Sequence, residues 1–347
     1  MLTTMIVLLF VFSLLGMEIA WAIGVAALAY LVLSNVGGEG TPFVLFSQQM
    51  TVGIDTFAYL AVPLFVFAGE LMGTTGVTER LVRAASAMVG HLRGGLANVA
   101  VTANFIMSGI SGSAIADAAA TGAVLMPEMK KKNYPPAFSA AVIASAATVG
   151  PIIPPSIMFV LLGAIVNISV GRLFLGGVMP GVLMSVAMFA LTWYLSRRRQ
   201  FPREPRATWG ERGRALAQGA LPLAAPVFVV GSILLGIATP TEAAAIAVAY
   251  TVVIGALVYR TLTWKSLVEC AAGTALTSAI VMLTVGTSQM FAWIAVQEQL
   301  GETLTAGIMQ LASGPVAVLL LVNILLLLLG MFMEPLPIML ILAPVLF

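Results

Sequence analysis

Two polar, helix-breaking tracts lie inside apolar sequence long enough to cross a bilayer. The first, residues 108–117, reads Ser108-Gly109-Ile110-Ser111-Gly112-Ser113-Ala114-Ile115-Ala116-Asp117. The second, residues 150–156, reads Gly150-Pro151-Ile152-Ile153-Pro154-Pro155-Ser156. Lipid offers no hydrogen bonds, so loosened backbone at membrane depth survives only when protein covers it or when it lines a wet cavity. A carboxylate there adds a further cost, roughly 2.5–3.5 kcal/mol on insertion scales if it faced lipid. A chain that keeps both features is expected to handle an ion or a polar solute.

The setting is a membrane. The chain is 60% hydrophobic and 9% charged, against about 25% charged residues in a soluble domain. One crossing takes about 20 apolar residues, so 347 residues allow roughly ten crossings. The apolar start has no basic residue before it and outruns a signal-peptide core, so it is expected to stay in the protein. A net charge of +2 makes no case for nucleic acid. Cys270 and His91 are each the only residue of their type, which excludes an internal disulfide and a Cys/His metal cluster. Neither a P-loop nor an HExxH or GxSxG arrangement occurs, so ATPase and hydrolase chemistry have no motif to rest on. Three basic clusters, Lys130 to Lys132, the Arg-rich linker 197–214 and Arg260 with Lys265, mark the cytoplasmic side.

Along the chain the pattern predicts only helices. Residues 2–33 form an apolar run broken near Gly16 and Glu18, and residues 37–40 form a turn. Residues 42–53 are amphipathic, and 55–73 make a crossing that carries Pro63 and Glu70. Residues 76–91 are expected to lie in the interface, Arg80 and Arg83 on one face and Leu81, Ala84, Ala85 and Met88 on the other. A crossing at 95–110 reaches the first tract, and a half-helix ending near Pro127 completes a hairpin over 108–130. Residues 135–149 and 157–169 are the two halves of one broken crossing, and further crossings follow at 173–195, 219–238 and 241–259. After a short interfacial stretch at 261–270 come 272–296, 300–312, 315–329 and a last element from Gly330 to Phe347. Glu242, behind Thr239-Pro240-Thr241, reads as a helix-start carboxylate. The expected organisation is a scaffold with an amphipathic arm over 1–75, a first repeat over 76–170, central scaffold helices over 171–270 and a second repeat over 271–347.

The repeat is weak but can be traced. Asn104 leads to Gly112, Asp117 and Pro127; Asn323 leads to Gly330, Glu334 and Pro344. The Asn-to-Pro separations are 23 and 21 residues. Upstream of each unit lies a stretch with a glutamate, Glu79 or Glu302. Broken apolar segments at matching places in two halves point to a secondary-transport site. The second unit lacks a counterpart of the 150–156 break, and about one broken crossing with its neighbours is expected beyond residue 347.

The candidate chemistry is oxygen ligation. Ser111, Gly112 and Ser113 offer hydroxyl and carbonyl oxygens, with Asp117 one helical turn deeper. Gly150, Pro151, Pro154 and Pro155 free carbonyls from the helix ladder, and Thr148 and Ser145 lie on the approach. Such a set suits a hard cation such as Na⁺. Tight helix packing through small residues is the other use of the first tract, and a simple kink the other use of the second. Gly330 and Glu334 repeat the pattern at shorter spacing; Glu334 is either a ligand or a helix-start residue. An anionic substrate is placed between the hairpins, with Ser111, Ser113, Pro155 and Ser156 as its candidate contacts.

These motifs resemble the large membrane subunit of the tripartite ATP-independent periplasmic (TRAP) transporters. The resemblance rests on residues 110–122, 150–156 and 330–335. It is joined by residues 239–243, Leu15-Gly16-Met17 and the 63–69 crossing. It implies an all-α polytopic membrane protein of the bacterial inner membrane, an elevator-type transporter with inverted repeats, helical hairpins and broken helices. It implies sodium-driven import of an organic acid such as a C4-dicarboxylate or sialic acid. A periplasmic substrate-binding protein would deliver the substrate, and a small four-helix membrane subunit would accompany this one. Glu334 stands where relatives often carry Asp. The other readings are a proton-coupled carrier working through Asp117 or Glu334, a passive channel, and a non-transporting assembly subunit.

Overall fold

The computed structural model describes residues 1–36, 38, 40–311 and 314–346. Gly37 and Glu39 of the expected turn, Ala312, Phe347 and the Pro344 side chain lie outside the described residues. The described chain is helical, without strands. Six helices among the described residues are long and apolar enough to cross a membrane: Ile19–Val36, Phe57–Thr74, Val170–Arg198, Trp209–Leu234, Pro240–Val258 and Trp264–Gln297.

The order begins α1 (Leu2–Leu14), α2 (Ile19–Val36), α3 (Val44–Ile54), a 3₁₀ turn at Phe57–Leu60 and α4 (Ala61–Thr74). Gly16, at φ 83°, takes the left-handed turn between α1 and α2, which is the break read from Gly16 and Glu18. Next come α5 (Val77–Val89), α6 (Gly95–Ser111), α7 (Ala114–Lys131), α8 (Pro136–Ala147) and α9 (Ile157–Ile165). Then follow α10 (Val170–Arg198), α11 (Trp209–Leu234) and α12 (Pro240–Val253), the last extended by a π turn at Ile254–Val258. The chain continues through α13 (Trp264–Gln297), α14 (Leu300–Leu311), α15 (Pro315–Gly330) and α16 (Pro335–Leu346).

The chain divides into two compact units. One holds residues 1–57, 164–167 and 278–347. Its core joins Met5 and Leu9 of α1 to Ala22, Ile23 and Ala26 of α2 and to Met290 and Ile294 of α13. Tyr30 donates to Glu298 Oε1 at 2.6 Å, and a β-carbon on Gly24 would meet Thr287 at 3.1 Å. The two pairs ascend together, so α2 runs parallel to the end of α13.

The other unit holds residues 58–163 and 168–277, and it carries both expected breaks. Its contacts are made largely by small side chains, as expected where lipid removes the hydrophobic drive between helices and close packing replaces it. Ala61 and Ala68 of α4 cluster with Ala243, Ala244 and Ala247 of α12. Ala97, Ala100 and Ala103 of α6 cluster with Ala146 of α8. Thr192 of α10 donates across to Asn98 of α6 at 3.0 Å.

Some expected boundaries move. The interfacial stretch 261–270 is the opening of α13, whose 34 residues reach about 51 Å at 1.5 Å per residue. The Arg-rich linker shortens because α11 begins at Trp209. There Thr208 and Glu211 form a reciprocal cap, so Arg212 and Arg214 are helical. In α5, Leu81, Ala84 and Ala85 are buried as expected, but Met88 is 47% exposed. Thr239 and Glu242 form the reciprocal cap of α12, which satisfies orphan N–H groups at that end.

Candidate functional site

The first break is a hairpin tip of two residues. Helices α6 and α7 pack together and meet at Gly112, at φ 60°, and Ser113, which is extended at φ −132°, ψ 121°. Only glycine takes the left-handed conformation without a steric penalty. Ser113 then starts α7 as its cap, its Oγ accepting from Ala116 N at 3.4 Å. The tract expected to be loose over 108–117 is therefore mostly helical. Ser108 stays in α6 because its hydroxyl donates to Phe105 O at 2.7 Å. Asp117 stays in the first turn of α7, where the helix dipole favours a carboxylate.

Asp117 is fully buried. Its Oδ1 accepts from Ser111 Oγ at 2.6 Å, which ties the end of α6 to the start of α7. Its Oδ2 is buried and has no hydrogen-bond partner among the described residues. Below it, Thr121 donates to Asp117 O at 2.6 Å and exchanges contacts with the Asn104 amide at 3.2 and 3.3 Å. Asn104 marks the start of the repeat in sequence; its bond across the hairpin was not foreseen.

The second break runs from Thr148 to Ser156, between α8 and α9. Pro151, Pro154 and Pro155 contribute carbonyls and no N–H. Ile152 and Ile153 both turn back to Val149 O, at 3.0 and 3.1 Å. Ser156 is buried; its hydroxyl donates to Pro151 O and accepts from Phe159 N at 3.4 Å, which caps α9. Glycines at 177 and 181 let α10 lie directly on Ile152 and Ile153.

The two breaks touch. A β-carbon on Gly150 would stand 2.8 Å from Asp117 Oδ2 and 3.1 Å from the Ser113 carbonyl carbon. One on Gly112 would stand 2.8 Å from Pro155 O. Gly109 faces Pro154 O at 3.7 Å and Pro226 of α11 at 3.3 Å, and Gly69 of α4 faces Ser111 at 3.5 Å. The glycines are what let backbone oxygens and the carboxylate converge. Ser111, Gly112, Ser113, Asp117, Gly150, Pro154, Pro155 and Ser156 thus form one neighbourhood, dominated by oxygen and carrying a single carboxylate. The free Oδ2 of Asp117 fits a hard cation ligand. No group of three His, Cys, Asp or Glu side chains comes together among the described residues, so the donor set is unlike that of a transition-metal site. Gly69 enters the sequence reading only as the end of the 63–69 crossing, and Pro226 not at all.

Residues 6–347 match the family described as tripartite ATP-independent periplasmic transporter, DctM component. This chain belongs to that family. It is 38% identical over 329 residues to the sialic acid TRAP transporter large permease protein SiaM of Vibrio cholerae, covering 95% of this chain and 76% of the relative. It is 36% identical over 335 residues to the 2,3-diketo-L-gulonate TRAP transporter large permease protein YiaN of Escherichia coli strain K12, covering 96% and 77%. It is 32% identical over 334 residues to the sialic acid TRAP transporter permease protein SiaT of Haemophilus influenzae, covering 96% and 53%. These relatives are permease subunits and not enzymes. This TRAP permease is accordingly a multi-pass integral protein of the bacterial inner membrane.

Four expected site residues of this TRAP subunit remain, Thr148 and Pro151 within the second break and Gly330 and Glu334 elsewhere in the chain. Thr148 is exposed and its hydroxyl donates to Ser145 O at 2.7 Å. Pro151 has its carbonyl engaged by Ser156. Gly330 closes α15, and Glu334, which is exposed, precedes Pro335 at the start of α16. Both belong to the other compact unit. That segment repeats the helix–break–helix form of α6 and α7. Asn104 and Asn323 each donate to the carbonyl four residues earlier at 2.8 Å. Glu79 and Glu302 are each the third residue of their helix, α5 and α14.

Proposed function

We propose that this chain is the large membrane subunit of a sodium-coupled importer of an organic acid anion. Family membership supports the transporter role. The relatives named for sialic acid and 2,3-diketo-L-gulonate, both carboxylates, support the substrate class, with C4-dicarboxylates in the same chemical range. The observation that carries the sodium reading is the free Oδ2 of buried Asp117, set against the second break at Gly150.

Na⁺ is transported with the acid, held by Ser111, Asp117 and carbonyl oxygens of the Gly112–Ser113 tip and the 150–155 break. Neutralising the Asp117 charge holds the two breaks together where they already touch. The Ser113 hydroxyl and the N-terminal ends of α7 and α9, the latter capped by Ser156, then face the substrate carboxylate, where helix dipoles favour an anion. An ion-dependent seating of the tip makes solute binding follow cation binding. Gly330 and Glu334 supply the corresponding oxygens of the second repeat. Movement is of the elevator type, the hairpins carrying their cargo past a static scaffold. A periplasmic substrate-binding protein delivers the acid, and a small four-helix membrane subunit completes the assembly.

The test is uptake into proteoliposomes with the full assembly and its periplasmic binder, candidate carboxylates being screened with and without an inward sodium gradient. Accumulation against a concentration gradient that requires Na⁺ is the expected result. Accumulation driven equally by a proton gradient without Na⁺ would move the coupling role of Asp117 to proton carriage. Flux only down a gradient would leave a passive channel, and none at all an assembly subunit.

A further inference from the structure

At the base of the first hairpin, far from its tip, a cavity of about 390 Å³ opens between the end of α7 and the start of α8. Met126, Pro127, Tyr134, Pro136 and Ser139 wall it, and Lys130 stands at it as the one charged lining residue. The Ser139 hydroxyl donates to Pro135 O at 3.2 Å, so the wall presents a thioether, two pyrrolidine rings and an aromatic ring. A polar solute finds one positive charge there and nothing else to bond; a hydrocarbon chain matches the walls.

The charges around it are uneven. Lys131 pairs with Glu128 at 2.7 Å and Lys132 with Glu204 at 3.3 Å. Lys130 is exposed and has no acidic partner among the described residues. Arg199 lies over the Phe138 ring at 5.5 Å, next to Ser139 of the cavity wall, and it too has no carboxylate partner among the described residues. The corner is held in shape by the linker: the Phe201 ring packs at a tilt on Tyr134 at 4.6 Å and on Phe138 at 5.0 Å. Glu204 N donates to Gly90 O at 3.1 Å. The lysine cluster sets this corner at the cytoplasmic boundary, where anionic headgroups lie within reach of basic side chains.

We propose that this slot binds an anionic phospholipid of the inner leaflet, one acyl chain against Met126, Pro127 and Pro136 and the headgroup phosphate on Lys130. The lipid would brace the hairpin base against the linker and travel with them, independently of any cation at the tip.

The test uses the purified full chain, delipidated in detergent. Native mass spectrometry and thermal unfolding are followed with dioleoyl phosphatidylglycerol, dioleoyl phosphatidylcholine or glycerol 3-phosphate. Retention of phosphatidylglycerol with a raised melting temperature is expected, and neither effect from the other two. Lys130→Gln lowers phosphatidylglycerol retention about five-fold, the scale of one basic side chain near an anionic surface. Met126→Trp, which narrows the slot and leaves the charge, lowers it also, and Lys265→Gln, at another exposed cytoplasmic lysine, does not. Equal retention by Lys130→Gln and Met126→Trp as by the native chain overturns the proposal, as does glycerol 3-phosphate acting as well as the lipid. No arm of the test involves sodium or solute uptake, so its failure leaves the transport reading untouched.

Discussion

Gly150 lies so close to the Asp117 carboxylate that a β-carbon at position 150 would stand 2.8 Å from Oδ2. It would also stand 3.1 Å from Ala147 O and from the Ser113 carbonyl carbon. Two of those three neighbours are main-chain atoms, which cannot swing aside as a side chain does. Gly150→Ala must therefore push the two breaks apart by some tenths of an ångström, at the place where their oxygens converge. Membrane expression close to native is expected, with coupled uptake reduced at least ~10-fold, since small misplacements at a site of this kind have large effects. The variant is measured by proteoliposome uptake normalised to protein content. Native uptake by Gly150→Ala would remove this contact from the mechanism.

Asp117→Asn separates function from stability. The amide keeps the size of the carboxylate and its bond from Ser111, and it removes a buried charge whose desolvation nothing offsets on the Oδ2 side. Thermal stability is expected to hold or rise, and uptake to fall by more than ~10-fold. Ser113→Ala has the other signature. It removes the cap of α7, about 1 kcal/mol, so a modest loss of melting temperature accompanies its larger loss of transport. Parallel loss of expression and transport in both variants would assign the tip to helix packing.

Gly112→Ala probes the tip itself. At φ 60° an alanine incurs about 1–2 kcal/mol of left-handed strain, and its β-carbon would meet Pro155 O at 2.8 Å. A clear drop in melting temperature is expected. Gly109→Ala has no φ penalty and looser neighbours at 3.3 and 3.7 Å, and it should be the milder of the two. The reverse order would show that the tip does not seat on the second break.

The sequence carried the class of fold and the location of both breaks, because Gly, Pro and small polar residues clustered inside apolar runs interrupt the helix ladder. It did not carry their extent. Ser108 and Ser111 look like loop residues, yet hydroxyls that bond local acceptors can remain in a helix, which shrinks the first break to Gly112 and Ser113. The pattern separates an interfacial stretch at 261–270 from a crossing at 272–296, but Lys265 and Glu269 are an exposed pair in the first turns of one helix. Spacing placed Thr148 on the approach to the break, but only coordinates reveal that its hydroxyl turns back to Ser145. Convergence of Gly112 on Pro155 and Gly150 on Asp117 depends on how α6 to α9 pack, which local pattern does not encode.

Asn104 and Asn323 occupy matching places in the two helix–break–helix segments, and each amide donates to a carbonyl four residues back at 2.8 Å. Their surroundings differ. Asn104 is fully buried and also bonds Thr121 across the hairpin; Asn323 is exposed, with its bond local to α15. Asn104→Ala leaves the Thr121 hydroxyl with Asp117 O alone and opens a small void, a cost of about 1–3 kcal/mol. Asn323→Ala in the isolated chain is expected to stay within about 0.5 kcal/mol of native. Thermal unfolding of the two variants, side by side in the same detergent, reads the difference directly. A loss at Asn323 as large as at Asn104 would mean that this face of α15 is packed in solution, and that the second segment is clamped as tightly as the first.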